Sequence, residues 1–405
     1  MGNPSVARVG DAVPTASKHL LGPSGRTFAV FWLSIALCAL WLLLTLHDLH
    51  AVRHLPELPP LRPDAPEPDV TIVMAVRDDV QHVADSVERL LAQQHVRMQL
   101  VVVNDRSQDG TGMVLDSLAR RFPRLRIVTV DELPPDWLGK SHALHQATAG
   151  ISTRWLLFTD GDAHLSPDAL ARAIDAAEQA NAQHVSLLPT HRDTTFLGRA
   201  GLLAFQLVVQ RRVAEVNAQK QRGFVGTGAF NLVRTEAYRA IGGHLPLRLE
   251  VVDDVWLGFL LHRHGFRSRV WFAPRDFAID WGATPRALVR VVEKNMFAVL
   301  RYRTWLAALA VTAAFALVLG SLAAPWYAGA IGWWPAASYL ATGIPGALLA
   351  RRMQWNPLAG LLVPLSRLLL PIALLNSTWV TLWQGGVRWR GTFYPLAQLR
   401  RGQVR

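Results

Sequence analysis

The chain has 405 residues, a formal net charge of +12, 51% apolar residues and one cysteine, Cys38, which excludes an internal disulfide and a cysteine-based zinc site. A mean hydropathy of +0.18 is high for a water-soluble protein and predicts membrane segments. The positive charge predicts an anionic partner: phospholipid head groups or a nucleotide diphosphate rather than nucleic acid, because the Arg and Lys residues are scattered and no DNA-binding motif is visible.

Residues 1–26 are polar, with Gly, Pro and Ser, the composition of a flexible N-terminus. Residues 27–46 form an unbroken apolar run of about the 20 residues a helix needs to cross a bilayer. No small-residue cleavage site follows it, so it reads as a transmembrane anchor rather than a signal peptide. The Pro-rich stretch 55–68 predicts a stiff linker that holds the next domain away from the membrane.

From Val70 the pattern changes. Short apolar runs at 70–76, 99–103, 125–130 and 155–159 read as buried strands, and helical patterns separate them at 83–94, 113–121 and 141–149. Alternation of this kind implies an α/β domain over 70–280 with right-handed βαβ units and a mainly parallel sheet flanked by helices. Ligands of such sheets collect at the carboxyl ends of the strands. Asp78-Asp79, Asn104-Asp105 and Asp160-Gly161-Asp162 each fall just beyond a predicted strand, so three acidic clusters share one edge.

Residues 281–303 mix apolar Leu288, Val291, Val292, Phe297 and Leu300 with Arg286, Arg290, Lys294, Arg301 and Arg303, as in an amphipathic helix at a bilayer surface. The region 305–383 holds two or three hydrophobic membrane segments. Residues 305–324 and 326–350 are candidate spans, whereas 358–383 is interrupted by Pro364, Arg367 and Pro371. A basic tail, 384–405, ends the chain. Two full spans with an interfacial third segment would keep this tail and Arg351-Arg352 on the side of the catalytic domain; three would put the tail outside. Positive residues favour the cytoplasmic face, so the first arrangement is preferred: a multi-pass protein of the inner membrane with its α/β domain facing the cytoplasm.

Two carboxylates one residue apart at a strand end, Asp160 and Asp162, can hold Mg²⁺ or Mn²⁺ with diphosphate oxygens completing the shell. A D-x-D triplet alone is more often a solvated turn; its position beside the other clusters reverses that. Asp109 reads as a helix cap, whereas Asp105 has no such local duty. Lys140, at the start of a helix, opposes the helix dipole and needs an anionic partner such as a phosphate.

These motifs, together with Thr71–Asp79, resemble family 2 glycosyltransferases of the GT-A fold over about residues 70–303, with the nearest likeness to bacterial membrane-bound members acting on hopanoid-associated lipids and carotenoids. The resemblance implies that Asp79, Asp105, Lys140, Asp160 and Asp162 bind a nucleotide-diphosphate sugar, with a UDP-sugar expected, and that Asp160 and Asp162 hold the metal. Gly226, Thr227 and Gly228 resemble the segment lining the sugar and acceptor pocket. In the same way Asp253-Asp254 resembles an acidic pair whose second member is the general base, so Asp254, beside Asp253, is the candidate to deprotonate an acceptor. Helix capping by these acids is the competing reading. Asp78-Asp79 stands where Asn-Glu is common, and Asn104 replaces a frequent Asp, which leaves the donor open. The expected activity is the inverting transfer of one sugar to a hydroxyl of a membrane lipid. A processive polysaccharide synthase is the rival enzyme, but residues 281–303 lack a Q-x-x-R-W motif, and Gln384-Gly385-Gly386-Val387-Arg388-Trp389 is one residue too long and lies after the apolar segments. A catalytically silent nucleotide-sugar-binding protein is the alternative from another class.

Overall fold

The computed structural model describes residues 24–404. Most of the expected flexible N-terminus therefore lies outside the described residues. Helix α1 (Ser24–Arg53) contains the anchor and runs about two turns past it. Then β1 (Asp69–Val76), α2 (Val83–Leu91), β2 (Arg97–Asp105), α3 (Thr111–Arg121), β3 (Leu125–Val130), α4 (Gly139–Ala147) and β4 (Trp155–Thr159) alternate as the sequence pattern predicts. Val70, Ile72, Val73 and Met74 are all fully buried, so β1 is covered on both faces and its apolar run is continuous rather than alternating. In α2, Val83, Val87, Leu90 and Leu91 supply the buried stripe of a helix laid on the sheet.

The second half adds β5 (Ala163–Leu165), α5 (Ala169–Gln179), β6 (His184–Leu188), β7 (Thr190–His191), α6 (Phe196–Asn217), β8 (Asn231–Arg234), α7 (Thr235–Ala240), α8 (Asp253–Arg263), β9 (Ser268–Phe272) and β10 (Phe277–Ile279). The main sheet has the order β3-β2-β1-β4-β8-β6-β9, and within it β8 alone runs against its neighbours. A small sheet, β5-β10-β7, flanks it.

Beyond the sheet the structure corrects two expectations and gives the tail a fold. The single amphipathic helix expected at 281–303 is two short helices, α9 (Pro285–Val291) and α10 (Glu293–Val299), because the chain breaks at Val292 and buries Leu288 on one and Phe297 on the other. The Pro-rich segment is not a spacer. Leu55 and Leu58 are buried, Leu58 N–H donates to the Phe272 carbonyl and Phe272 N–H to that of Pro56, so it covers the open edge of β9. The tail is ordered: it folds into a β-hairpin and a terminal helix. Its Val387, Tyr394 and Leu399 are buried with Leu138 and Leu249 of the α/β domain and Phe297 of α10.

The apolar region ahead of the tail comprises α11 (Thr304–Ala328), a tight turn at Gly329–Gly332, α12 (Trp333–Leu340), α13 (Gly343–Arg352), α14 (Pro357–Leu361), α15 (Val363–Ser366) and α16 (Leu369–Gln384). The hairpin strands are β11 (Gly386–Trp389) and β12 (Thr392–Pro395), and the terminal helix is α17 (Leu396–Arg401). Among the described residues, the stretches Phe28–Arg53, Thr304–Arg352 and Val363–Gln384 are long and apolar enough to cross a membrane. Trp305, Trp326 and Trp383 remain exposed on them, as lipid-facing side chains would be. Trp41 of α1 stacks edge-on against Tyr339 of α12 and donates to Ser321 of α11 at 2.8 Å. The fully buried carboxylate of Asp48 takes Arg211 of α6 at 2.6 Å and Arg367 at 3.0 Å, which ties the anchor to both the α/β domain and the last apolar segment.

Candidate active site

Parallel β1, β2 and β4 end at one edge of the sheet, and this carries Asp79, Asp105 and Asp160 to the same side. Because β8 runs antiparallel to β4, with Asn231 opposite Phe158, the preceding segment 226–230 arrives at that edge too. The N-terminus of α8 then brings in Asp253 and Asp254. Three of the sequence-predicted residues, Asp160, Asp254 and Lys140, meet around Gly228. A β-carbon placed there would lie 2.9 Å from Asp160 Oδ2, 3.4 Å from Asp254 Oδ2 and 3.5 Å from Lys140 Nζ. Gly226 is fixed more tightly: a β-carbon would sit 1.8 Å from the Asp254 carbonyl oxygen, so only glycine allows this loop to lie on α8. A small cavity opens among Lys140, Thr159, Gly228, Asn231, His244, Asp253 and Asp254.

Lys140 Nζ donates to Asp160 Oδ1 at 2.7 Å, so its anionic partner within the protein is the first acid of the D-x-D turn. Burial raises the Asp160 carboxyl, but the Lys140 charge outweighs this and holds it below the usual range. Burial and the adjacent charge of Asp160 push Asp162 up to about 7. Burial raises Asp253, which lies 4.0 Å from His244 Nε2, and burial with the neighbouring Asp253 pushes Asp254 up to about 6. An acid held near neutrality, in a cleft beside a fixed cation, is the environment of a proton-transfer group.

Comparison with known proteins decides the family. The family model described as "Glycosyltransferase like family 2" matches residues 66–302. The chain is a family 2 glycosyltransferase. The 4,4'-diaponeurosporenoate glycosyltransferases of Staphylococcus aureus strains USA300 and NCTC 8325 are each 27% identical over 192 residues, 47% of this chain and 50% of theirs. The chain thus spans about half the length of the curated relatives it matches. Among solved structures, a mannosyltransferase from Pyrobaculum calidifontis in complex with GDP-Man and Mn²⁺ superposes with a TM-score of 0.55 at 20% identity, covering 88% of this chain and 99% of that one. The fold is GT-A, as the sheet order and the resemblance implied.

Within this glycosyltransferase the other expected donor residues divide. Asp79 faces the D-x-D turn, with its Oδ2 3.5 Å from where a β-carbon on Gly161 would stand. Asp105 does have a local duty, contrary to the sequence reading. Both its oxygens are held by Arg106, at 2.7 and 2.9 Å, and the pair packs against Gly139 at the head of α4. Asp109 is structural, accepting the N–H groups of Thr111 and Val80 and so joining the loops after β1 and β2.

Asp160 and Asp162 fit a divalent cation. Their hard oxygens suit Mg²⁺ or Mn²⁺, and the raised Asp162 is a carboxylate short of positive charge. Among the described residues no third acidic or histidine ligand completes a set.

Sequence reasoning placed Asn231 at the end of the pocket-lining segment 226–231 without giving it a role of its own, and missed Lys294, Trp389, Arg390 and Tyr394 as parts of this site. Asn231 Nδ2 donates to the Asp254 carbonyl at 3.3 Å while its Oδ1 is bound to His184 Nε2 at 2.7 Å, so it seats the base-bearing helix. Its place at the end of the 226–231 motif was the available signal. The other four come from elements after residue 280, which carry no local pattern pointing to the site.

Proposed function

We propose that this glycosyltransferase moves one sugar from a nucleotide-diphosphate donor to a hydroxyl of a membrane lipid, with inversion at the anomeric carbon. The observation that carries this reading is the meeting of Asp254, Asp160 and Lys140 around Gly228, on a domain packed directly against apolar helices. Lys140 and the D-x-D turn would bind the departing diphosphate, and Asp79 and Asp105 lie toward the nucleoside end. The divalent ion held by Asp160 and Asp162 would supply charge neutralisation for the leaving group. Asp254 would accept the proton of the attacking hydroxyl, with Asp253 beside it keeping its proton affinity high. Gly228 leaves room between base and diphosphate for the sugar. Attack from the side of Asp254, opposite the departing nucleotide, inverts the configuration.

The Pyrobaculum neighbour was solved with GDP-Man and Mn²⁺, and the staphylococcal relatives are named for a carotenoid acid. UDP-sugars and GDP-sugars are accordingly the donors to test first, against isoprenoid and hopanoid-like acceptors, with Mg²⁺ or Mn²⁺ present. Full-length protein in lipid micelles should turn over at least one of these donors. Asp254→Asn should slow turnover roughly 10²–10⁴-fold with folding unchanged, the usual contribution of a general base. Equal activity in Asp254→Asn would overturn the assignment of the base. Absence of transfer or hydrolysis with every common donor would overturn the donor class.

We place the protein in the inner membrane with its catalytic domain in the cytoplasm. Both basic clusters support this, since Arg352 bonds the Leu55 carbonyl at the base of the α/β domain and the tail packs on that domain.

A further inference from the structure

The chain returns to the active site after its last apolar helix. Arg390 and Gly391, both at positive φ (+45° and +75°), form the two-residue turn of the β11–β12 hairpin, whose handedness fits the twist of paired strands. The tip is fastened to the sheet edge. Arg390 Nη1 donates to the Arg77 carbonyl at 3.2 Å, and Arg77 Nη1 donates to Thr392 Oγ1 at 2.9 Å. The Tyr394 hydroxyl oxygen accepts the N–H of Gly139, 3.0 Å away, at the head of the helix that carries Lys140. On the other side, the ring of Trp389 lies under Lys294 of α10, with Nζ 4.1 Å from the ring centroid.

Lys294 is half-buried, and among the described residues it forms no ion pair; its Nζ hydrogen-bonds only Asn295 Oδ1, at 3.0 Å. An aromatic face returns part of the hydration a buried ammonium loses, but not the whole. Burial foremost pulls the Lys294 ammonium down, Lys140 repels it, and Asp253, Asp254 and Asp160 attract it, so its charge is coupled to those of the site. The charge of Arg390 likewise reaches Asp160. The hairpin on which Lys294 sits thus has its tip on Arg77, next to Asp78-Asp79, and its Tyr394 on Gly139, next to Lys140.

We infer that Lys294, seated on Trp389, and Arg390 form a second cation subsite for the diphosphate of the donor, built by the interface helix and the C-terminal hairpin. This rests on the nucleotide-diphosphate reading above and assigns to segments on either side of the membrane helices a direct part in binding. The alternative duty for Lys294, holding Asp253 and Asp254 ionised, would show in the pH profile and leave nucleotide affinity alone.

The test uses the full-length protein in micelles with Mn²⁺ and measures binding of UDP and GDP and of their monophosphates by calorimetry. Lys294→Met should weaken the better diphosphate ligand tenfold or more and its monophosphate much less, and Lys294→Arg should restore most of the loss. Arg390→Gln should weaken the diphosphate about threefold to tenfold, with thermal unfolding measured alongside because the Arg77 carbonyl loses its donor. Diphosphate affinity within twofold of wild type in both Lys294→Met and Arg390→Gln overturns the inference. So does an equal loss for mono- and diphosphate, which marks a purely structural effect. A wild type that binds neither UDP nor GDP sinks the donor reading itself, and this subsite with it.

Discussion

Asp254 combines an observed duty with a proposed one, and the two pull in different directions. Its Oδ1 accepts the N–H of Val255 at 2.9 Å, which is what a carboxylate at the start of a helix does for the orphan donors there. Capping of this sort lowers a carboxyl pKa, yet burial and Asp253 override it and push Asp254 up to about 6. The base reading has a signed consequence. A base must be ionised, so kcat/KM should rise with pH through a limb of about 6 and level off above it. Because Asp253 and Asp254 titrate together, the limb belongs to the pair. Asp253→Asn removes the neighbouring charge and should move the limb to lower pH, measurable from donor turnover between pH 5 and 8. A limb that stays in place in Asp253→Asn, or a rate that falls as pH rises over this range, would remove Asp254 from the role.

At the scale of elements, the site depends on how closely the loop 226–230 lies on α8. Gly226 meets the Asp254 carbonyl, and in return Gly258 of α8 meets the Val225 carbonyl, with added β-carbons at 1.8 and 1.9 Å from those oxygens. These are backbone collisions with no flexible end to yield. Gly228 differs, for its neighbours are the tips of Asp160, Asp254 and Lys140. Gly226→Ala should therefore cost about 1–3 kcal/mol of stability, the usual range for overpacking, and abolish turnover by displacing the base. Gly228→Ala should leave the thermal unfolding temperature close to wild type and still lose most of its activity, because the new methyl occupies the space left for the sugar. Thermal unfolding and donor turnover on the two variants separate these outcomes, and a Gly228→Ala enzyme of full activity would contradict the placement. This loop was recognised only by resemblance, whereas the donor half was legible because it follows local rules: buried strands read as continuous apolar runs, and parallel strands put their polar ends on one edge. Lys294 and the β11–β12 hairpin were illegible for the converse reason. Val387 and Tyr394 are buried only because Leu138 and Leu249, far away in sequence, come to meet them. The Pro-rich segment misled in the same way. Proline favours an extended chain, and whether that chain stands free or covers a sheet edge is settled by Leu55 and Leu58 finding a surface to bury against.

For the whole molecule, the contacts fix the parity of membrane crossings. The chain enters the α/β domain after α1, leaves it before α11, and returns with the hairpin and α17 packed on the same domain. If residues 304–384 cross a membrane, they cross it an even number of times. At 1.5 Å per residue, the 25 residues of α11 exceed the roughly 30 Å of the hydrocarbon core. From Trp333 to Arg352 the chain comes back, ending where Arg352 bonds the Leu55 carbonyl. The last apolar segment starts and finishes on that side. It is divided into α14, α15 and α16, and α14 and α15 lie against α6 of the catalytic domain. The arrangement we propose is two crossings plus α1, with the last segment along the interface, which satisfies both the parity and the basic clusters at Arg351-Arg352 and in the tail. Since Cys38 is the one cysteine, a Cys38→Ser background allows single reporters to be placed at will. Gly329→Cys, in the turn between α11 and α12, should react with a membrane-impermeant maleimide in intact cells. Arg351→Cys and Gln384→Cys should react only after the membrane is opened. Labelling of Gln384→Cys from outside, with Arg351→Cys protected, would mean that residues 363–384 cross the bilayer, and would separate the hairpin from the active site.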